Sequence, residues 1–238
     1  ITTSVEQTLV VARSGPRRVS PFVIPMMMPN AAAGLVSIRL GLHGPSYCVS
    51  TACASSSDAI GIAMDMIRSG RARAMVVGGA DSTIIPLCMA GFEQAHALCT
   101  TSNDEPERAS RPFDLDRSGF VAAEGAGVLV LEDEEFARSR GAHVYARIAG
   151  YGATADAHHM TAPDPQGRGA TRAIRDAIGD AHAGLEDVVY VNAHGTSTPL
   201  NDKTESLALE NVFGERATKI PVSSTKSMTG HMGGAAGA

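Results

Sequence analysis

Nothing in this sequence reads as a membrane span, because no apolar run approaches the roughly 18 to 20 residues needed to cross a bilayer. The opening ITTSVEQTLVV lacks the charged leader and apolar centre of a secretory signal. A basic excess is missing as well. Twenty-five Asp and Glu outweigh 20 Lys and Arg, for a net charge of -5, so nothing is set to neutralise a phosphate backbone and nucleic acid is not an expected partner. Aromatic residues make up only 4% of the chain. Cysteine is scarce: Cys48, Cys53, Cys88 and Cys99 have no CxxC spacing and are too few to staple 238 residues. A disulfide scaffold is thereby excluded, and the four read as free thiols of a reducing compartment. The expected location is the cytoplasm, with no membrane association.

Short-period repeats, low-complexity tracts and flexible linkers are also absent. The chain starts at Ile1 and stops within GHMGGAAGA, which reads as the first turns of a Gly/Ala-rich helix with no cap or polar tail. The expectation is an internal fragment of a longer protein. What is present is a globular balance, 44% hydrophobic residues at a mean hydropathy of zero, enough for a sizeable core.

Periodicity supplies the fold class. Ala59, Ile60, Ala63, Met64 and Ile67 recur at helical spacing after Ser55-Ser56-Ser57-Asp58, with Gly70 as a stop. The following Ala74 to Gly79 has no polar alternation and predicts a strand covered on both faces. Gly127 to Glu132 is a second such run, a charged helix follows over Asp133 to Arg140 and ends at Gly141, and Val144 to Ala149 reads as a strand. Ala170 to Ala181 carries Ala173, Ile174, Ala177 and Ile178 on one face, and Val188 to Val191 is another buried run. Strands alternating with helices predict an α/β fold, with helices over a mostly interior sheet. The polar stretch Thr100 to Ser118 predicts an ordered surface loop.

Three constellations could carry chemistry. In VSTACASSS, Cys53 sits where an apolar segment meets a helix start; free N–H groups and the helix dipole there would lower its pKa and make a nucleophile, and could also hold an oxyanion. A small structural cysteine is the alternative. In VNAHGTSTP, His194 lies just past a strand end, where ligand-facing residues of α/β sheets gather, although a core or capping histidine would fit too. The hydroxyls of Thr196 and Thr198 could equally stabilise the turn. In SSTKSMTGH, Lys226 and His231 stand five apart at another strand–loop–helix junction; a histidine there could hydrogen-bond a developing enolate while the nearby cation keeps it neutral. Lys226 by itself could be a surface charge. One nucleophile and two histidines share the same placement at element ends.

TACASSSDAIG, VNAHGTSTPLND and SSTKSMTGHMGGAAGA, in that order, resemble the three active-site motifs of the beta-ketoacyl-acyl-carrier-protein synthases. The closest branch is the type II elongating synthase of fatty acid synthesis, with its polyketide relatives. The resemblance extends through GPRRVSPF and SRPFDLDRSGFVAAEGAGVLVLE, and so over essentially the whole chain.

It implies the thiolase fold, α-β-α-β-α layers in two duplicated halves, here incomplete at both ends. The chain would be a partial ketosynthase, with about residues 1–132 closing the first half and about 133–238 opening the second. A homodimer, or a heterodimer with a chain-length factor, is the implied assembly.

By the same resemblance Cys53 would take an acyl group from acyl carrier protein. His194 and His231 would hydrogen-bond the malonyl thioester oxygen during decarboxylation, and Lys226 would order them with Asp202 or Glu205 nearby. Thr196 and Thr198 match positions that bind the phosphopantetheine arm, and His159 and Thr161 would line the same tunnel. Arg17 and Arg18 match a basic patch where the acidic carrier protein docks, and His96 stands where the family often has another arginine.

The Cys53 N–H would supply half of the oxyanion hole, the other half normally coming from a Gly-Phe-Gly segment this sequence does not contain. No metal or resident cofactor is implied, since the phosphopantetheine belongs to the carrier protein. Two histidines distinguish the chain from initiating synthases, which carry an asparagine in the third motif. Cys53 distinguishes it from the non-catalytic chain-length partner. The Lys226 and His231 motif speaks against a thiolase. Fatty acid and discrete polyketide synthesis both remain open, and an inactive piece that merely preserves a dimer interface is the non-enzymatic alternative.

Overall fold

The computed structural model describes residues 1–238 and divides into two compact units, Ile1–Ala52 and Cys53–Ala238. The first is helical: α1 (Thr2–Ser14), α2 (Val23–Met27) and α3 (Ala31–Leu40). Gly15 stops α1, and a 3-10 turn over Pro16–Arg18 follows. Gln7 accepts the Ser20 N–H at 2.9 Å, tying α1 to the segment after that turn. No residue of this unit is fully buried, and Phe22, Ile24, Leu35 and Ile38 are all exposed.

The second unit begins with α4 (Ser55–Arg68), which has an acidic side chain, Asp58, in its first turn, where the helix dipole favours it. Its inner face buries Ala63, Met64 and Met66, and it packs on β1 (Ala74–Asp81). The Tyr151 ring lies directly over Gly61, and its hydroxyl donates to Asp58 Oδ1 at 2.7 Å. After α5 (Pro86–Gln94) and the polar loop, β2 (Gly125–Glu132) pairs antiparallel with β1, from Ala74 opposite Glu132 to Asp81 opposite Gly125. Asp133 Oδ1 then accepts the Phe136 N–H and caps α6 (Glu134–Ser139).

Next come α7 (Arg168–Asp180), β3 (Val191–Asn192), α8 (Pro199–Phe213), β4 (Val222–Ser223) and α9 (Lys226–Thr229), with β3 and β4 paired in parallel. Leu209, Val212, Phe213 and Ile220 form the main core cluster, against which Ile174, Ile178 and Val191 pack. Each such side chain contributes about 1.5 to 3 kcal/mol when fully buried.

The helices expected after Ser55, over Asp133 to Arg140 and over Ala170 to Ala181 are found as α4, α6 and α7; the sheets depart from expectation. Val144 to Ala149 forms no strand, Val144 and Tyr145 are exposed, and of Val188 to Val191 only Val191 enters a strand while Val189 and Tyr190 lie exposed. On β1 only Val77 is fully buried, and β2 exposes Val128 and Val130. The predicted interior sheet is thus two separate two-stranded pairs. An apolar run specifies a surface suited to pairing, but a strand also needs a neighbour, and that neighbour is not encoded locally. The C-terminal Gly/Ala stretch makes a single 3-10 turn, Gly233–Ala235, in place of the expected helix.

Candidate active site

Cys53 occupies a 3-10 turn (Ala52–Ala54) that runs straight into α4, and the residue before it, Ala52, has φ 50°, a backbone conformation costly for a side chain with a Cβ. His194 follows β3 by two residues, and its loop is anchored on α8: Glu205 accepts the His194 N–H at 2.7 Å and the Gly195 N–H at 2.8 Å. Ser224 Oγ, after β4, donates to the His194 carbonyl at 3.2 Å. Lys226 opens α9 and is 5% exposed.

His231 is held by its backbone: its N–H donates to Val121 O at 2.7 Å and its carbonyl accepts the Ala123 N–H at 3.0 Å. Beyond it the chain is strapped to β1 and α4, with the Gly234 N–H on Asp81 Oδ2 at 2.9 Å and the Gly237 N–H on Ser56 Oγ at 3.0 Å. The approach is close enough that a Cβ on Gly79 would collide with the Gly234 carbonyl, and one on Gly233 (φ 51°) with the Asp81 carboxylate.

These supports bring together residues from three distant stretches. Cys53 Sγ lies 2.9 Å from His231 Nε2. The His194 and His231 rings meet edge to face at 5.6 Å between centroids, and Phe120 also packs edge to face with His231 at 5.3 Å.

Burial dominates the electrostatics. It pushes His194 down to about 3 and His231 down to about 4, with the Lys226 charge adding to both shifts and Asp81 opposing the second. Both imidazoles are therefore neutral at pH 7, each with one N–H donor and one free lone pair. Burial also lowers the Lys226 pKa, against the opposing pull of Glu205, Cys53 and Asp202.

The Cys53 thiol is raised by burial, with Lys226 lowering it and Asp81 raising it further. The helix terminus leads to the expectation of an acidified thiol; here burial is the largest effect and lifts it, against the lowering by Lys226 and by a backbone hydrogen bond at Cys53. A half-buried, protonated thiol needs a proton acceptor, and His231 Nε2 is in reach of it.

The sequence profile described as "Beta-ketoacyl synthase, N-terminal domain" matches residues 2–137, and "Beta-ketoacyl synthase, C-terminal domain" matches residues 145–238. The chain belongs to the beta-ketoacyl synthase family. It is 53% identical over 232 residues to a 3-oxoacyl-[acyl-carrier-protein] synthase 2 of Synechocystis sp., covering 98% of this chain and 56% of that one. A Staphylococcus aureus protein of the same name is 52% identical over 223 residues, covering 94% and 55%. The chain thus spans about half the length of the curated relatives it matches.

Among solved structures, a type II PKS acyl-carrier protein in complex with its ketosynthase bound to the hexaketide matches with a TM-score of 0.95 at 39% identity, covering 98% of this chain and 59% of that one. A beta-ketoacyl synthase from Burkholderia phymatum matches with a TM-score of 0.90 at 41% identity, covering 98% and 56%. The fold is the thiolase fold of ketosynthases, with incomplete halves.

Within this family member the four central residues converge, and their neighbours divide. Asp202 and Glu205 act electrostatically on Lys226, yet their hydrogen bonds go elsewhere. Glu205 holds the His194 loop, while Asp202, 1% exposed, accepts the Phe113 N–H at 2.7 Å and lies 3.6 Å from Arg117. The Thr196 and Thr198 hydroxyls are hydrogen-bonded to each other at 2.8 Å. His159 and Thr161 share an exposed turn, in which His159 Nδ1 accepts the Thr161 N–H at 3.2 Å. Arg17 and Arg18 are exposed on the first unit, and all four cysteines are free thiols.

Sequence reasoning missed the stitching role of the polar loop. Ser110 Oγ donates to Lys226 O at 2.6 Å, the Arg111 N–H to Ser197 Oγ at 3.0 Å, the Gly119 N–H to Ser197 O at 3.0 Å, and Arg117 Nε to Thr198 O at 3.2 Å. Asp81 was missed as well. The available signal was SRPFDLDRSGF, whose charged residues are too closely spaced for either helix or strand periodicity.

Proposed function

We propose that the complete protein is a beta-ketoacyl-acyl-carrier-protein synthase, catalysing decarboxylative Claisen condensation in fatty acid elongation. The observation that carries this reading is Cys53 Sγ at 2.9 Å from His231 Nε2, with His194 edge-on to the same ring.

In the first half-reaction the Cys53 thiol yields its proton to His231, and the sulfur attacks the acyl thioester on the carrier protein. The new C–S bond replaces the old one, and the carrier thiol leaves with a proton. Malonyl-carrier protein then binds and its carboxylate departs as CO2. The bonding pair passes into an enolate whose oxygen takes hydrogen bonds from His194 and His231. The enolate carbon attacks the Cys53 thioester, the C–S bond breaks with its electron pair going to sulfur, 3-oxoacyl-carrier protein is released, and the Cys53 thiolate takes up a proton from solvent to restore the thiol. Neutral histidines suit this role because each keeps an N–H to donate without bringing a charge that would stabilise the malonyl carboxylate.

In this reading Lys226 orders the histidines, assisted by Asp202 and Glu205. Thr196, Thr198, His159 and Thr161 line the phosphopantetheine path, and Arg17 and Arg18 receive the acidic carrier protein. The phosphopantetheine arrives on that partner, and the enzyme holds no cofactor or metal of its own for the reaction. Residues of about 1–132 and 133–238 belong to the two duplicated halves, the working assembly is a dimer, and the location is the cytoplasm. No helix is long and apolar enough to cross a membrane.

A discrete type II polyketide ketosynthase is the second reading, supported by the TM-score of 0.95 to a ketosynthase bound to a hexaketide.

Intact-mass measurement with peptide mapping tests both, after exposure to acyl-carrier proteins and then malonyl-carrier protein. A saturated acyl adduct on Cys53 that disappears as 3-oxoacyl product forms supports fatty acid elongation. An adduct from poly-keto chains alone transfers the protein to polyketide assembly. Acylation surviving Cys53→Ala, or no adduct on the folded full-length protein, refutes the nucleophile.

A further inference from the structure

We infer that Cys53, His194 and His231 together form a binding site for Zn2+, and that the ion acts there as a reversible blocker of the thiol. The Sγ of Cys53 and one ring nitrogen of each histidine all lie within 4.8 Å of one another. Tetrahedral zinc, with Zn–S near 2.3 Å and Zn–N near 2.0 to 2.1 Å, needs ligand atoms about 3.3 to 3.6 Å apart. The Cys53–His231 pair at 2.9 Å therefore opens by roughly half an ångström, and His194 closes by at most about 1.2 to 1.5 Å, within the reach of side-chain rotation. One thiolate and two imidazoles make a donor set that suits zinc and leaves a fourth position for water.

The surroundings are compatible with a divalent cation. Lys226 opposes it, and Arg117 lies beyond Asp202, but Asp81, Glu205 and Asp202 bring three carboxylates to the same cluster. Zinc also displaces a proton: the thiol S–H bond breaks, an S–Zn bond forms, and the proton goes to solvent. The lone pairs that bind the metal come from rings that are already neutral, so no further proton has to leave. Occupancy would remove the nucleophile and tie up one ring nitrogen of each histidine at once.

The inference does not depend on acyl transfer, because binding is measured on the substrate-free protein. The full-length protein is titrated with Zn2+, with Co2+ as a spectroscopic substitute, while Cys53 alkylation by iodoacetamide is followed by peptide mapping. Three results are expected: a thiolate-to-cobalt charge-transfer band that is lost in Cys53→Ser, alkylation of Cys53 slowed at least about ten-fold by Zn2+ and restored by EDTA, and affinity weakened at least about ten-fold in both His194→Ala and His231→Ala, the equivalent of one decade in Kd. Circular dichroism verifies that each variant is folded; if an alanine variant unfolds, the corresponding His→Gln replaces it. Alkylation of Cys53 at the metal-free rate under saturating Zn2+, or equal affinity in Cys53→Ser, overturns the site and leaves the acyl-transfer reading untouched.

Discussion

Glu205 offers the most direct test of how the site is held. Its carboxylate accepts two backbone N–H groups, from His194 at 2.7 Å and Gly195 at 2.8 Å, and a weaker bond from Asn201 Nδ2 at 3.2 Å. Glu205→Gln preserves the volume and one oxygen but puts an amide donor opposite a backbone donor. Leaving one largely buried N–H unpaired costs about 1 to 3 kcal/mol, and the surviving bond loses its charge assistance. For a chain of this size each kcal/mol lowers Tm by about 2 to 4 °C, so a cost near 2 kcal/mol predicts a fall of roughly 4 to 8 °C in thermal unfolding.

The same substitution frees the loop that positions His194. A displacement of about 1 Å at a catalytic group can cost up to 100-fold, so malonyl-carrier decarboxylation is expected to fall by 10- to 100-fold. Iodoacetamide alkylation of Cys53, whose thiol faces His231, stays within about two-fold of wild type, far less than one decade's 1.4 kcal/mol. Wild-type Tm together with wild-type decarboxylation would refute the assignment of Glu205 as the anchor of this loop.

Three further outcomes are expected. Asp164 is held down to about 2 by its hydrogen bond from Arg168, so its contribution is complete above the ordinary carboxylate value near 4 and is lost as pH falls through about 2. Asp164→Asn should flatten the fall in Tm over that window, and an unchanged acid profile would disprove the coupling. Phe213→Ala in the α7–α8 core should destabilise by about 3 to 5 kcal/mol, read by thermal unfolding; a loss below about 1 kcal/mol would show that the cluster is not a core. Asp81→Ala, which removes the acceptor of the Gly234 N–H, should lower both Tm and decarboxylation further than Asp81→Asn, which keeps an acceptor. Equal behaviour of the two variants would dismiss the strap.

Local grammar was legible wherever one segment suffices. The spacing of Ala59 to Ile67 and of Ala173 to Ile178 requires helices because an apolar stripe at that period can be buried only on one helical face, and α4 and α7 follow it. Three ordered motifs likewise named Cys53, His194, Lys226 and His231 as a group. Two things were decided only by tertiary structure. One is strand formation: Val144 to Ala149 has the composition of a strand and no partner, and pairing is a property of two segments.

The other is the state of the site. Proximity to a helix start predicted an acidified Cys53, but burial is the largest effect on the thiol and raises it. Desolvation depends on everything packed around a group, whereas the helix dipole is written in its immediate neighbours. The roles of Asp81, Glu205 and the Ser110 to Phe120 loop are of the same kind, since each acts through a hydrogen bond to backbone outside its own element, and sequence spacing carries no record of such a bond.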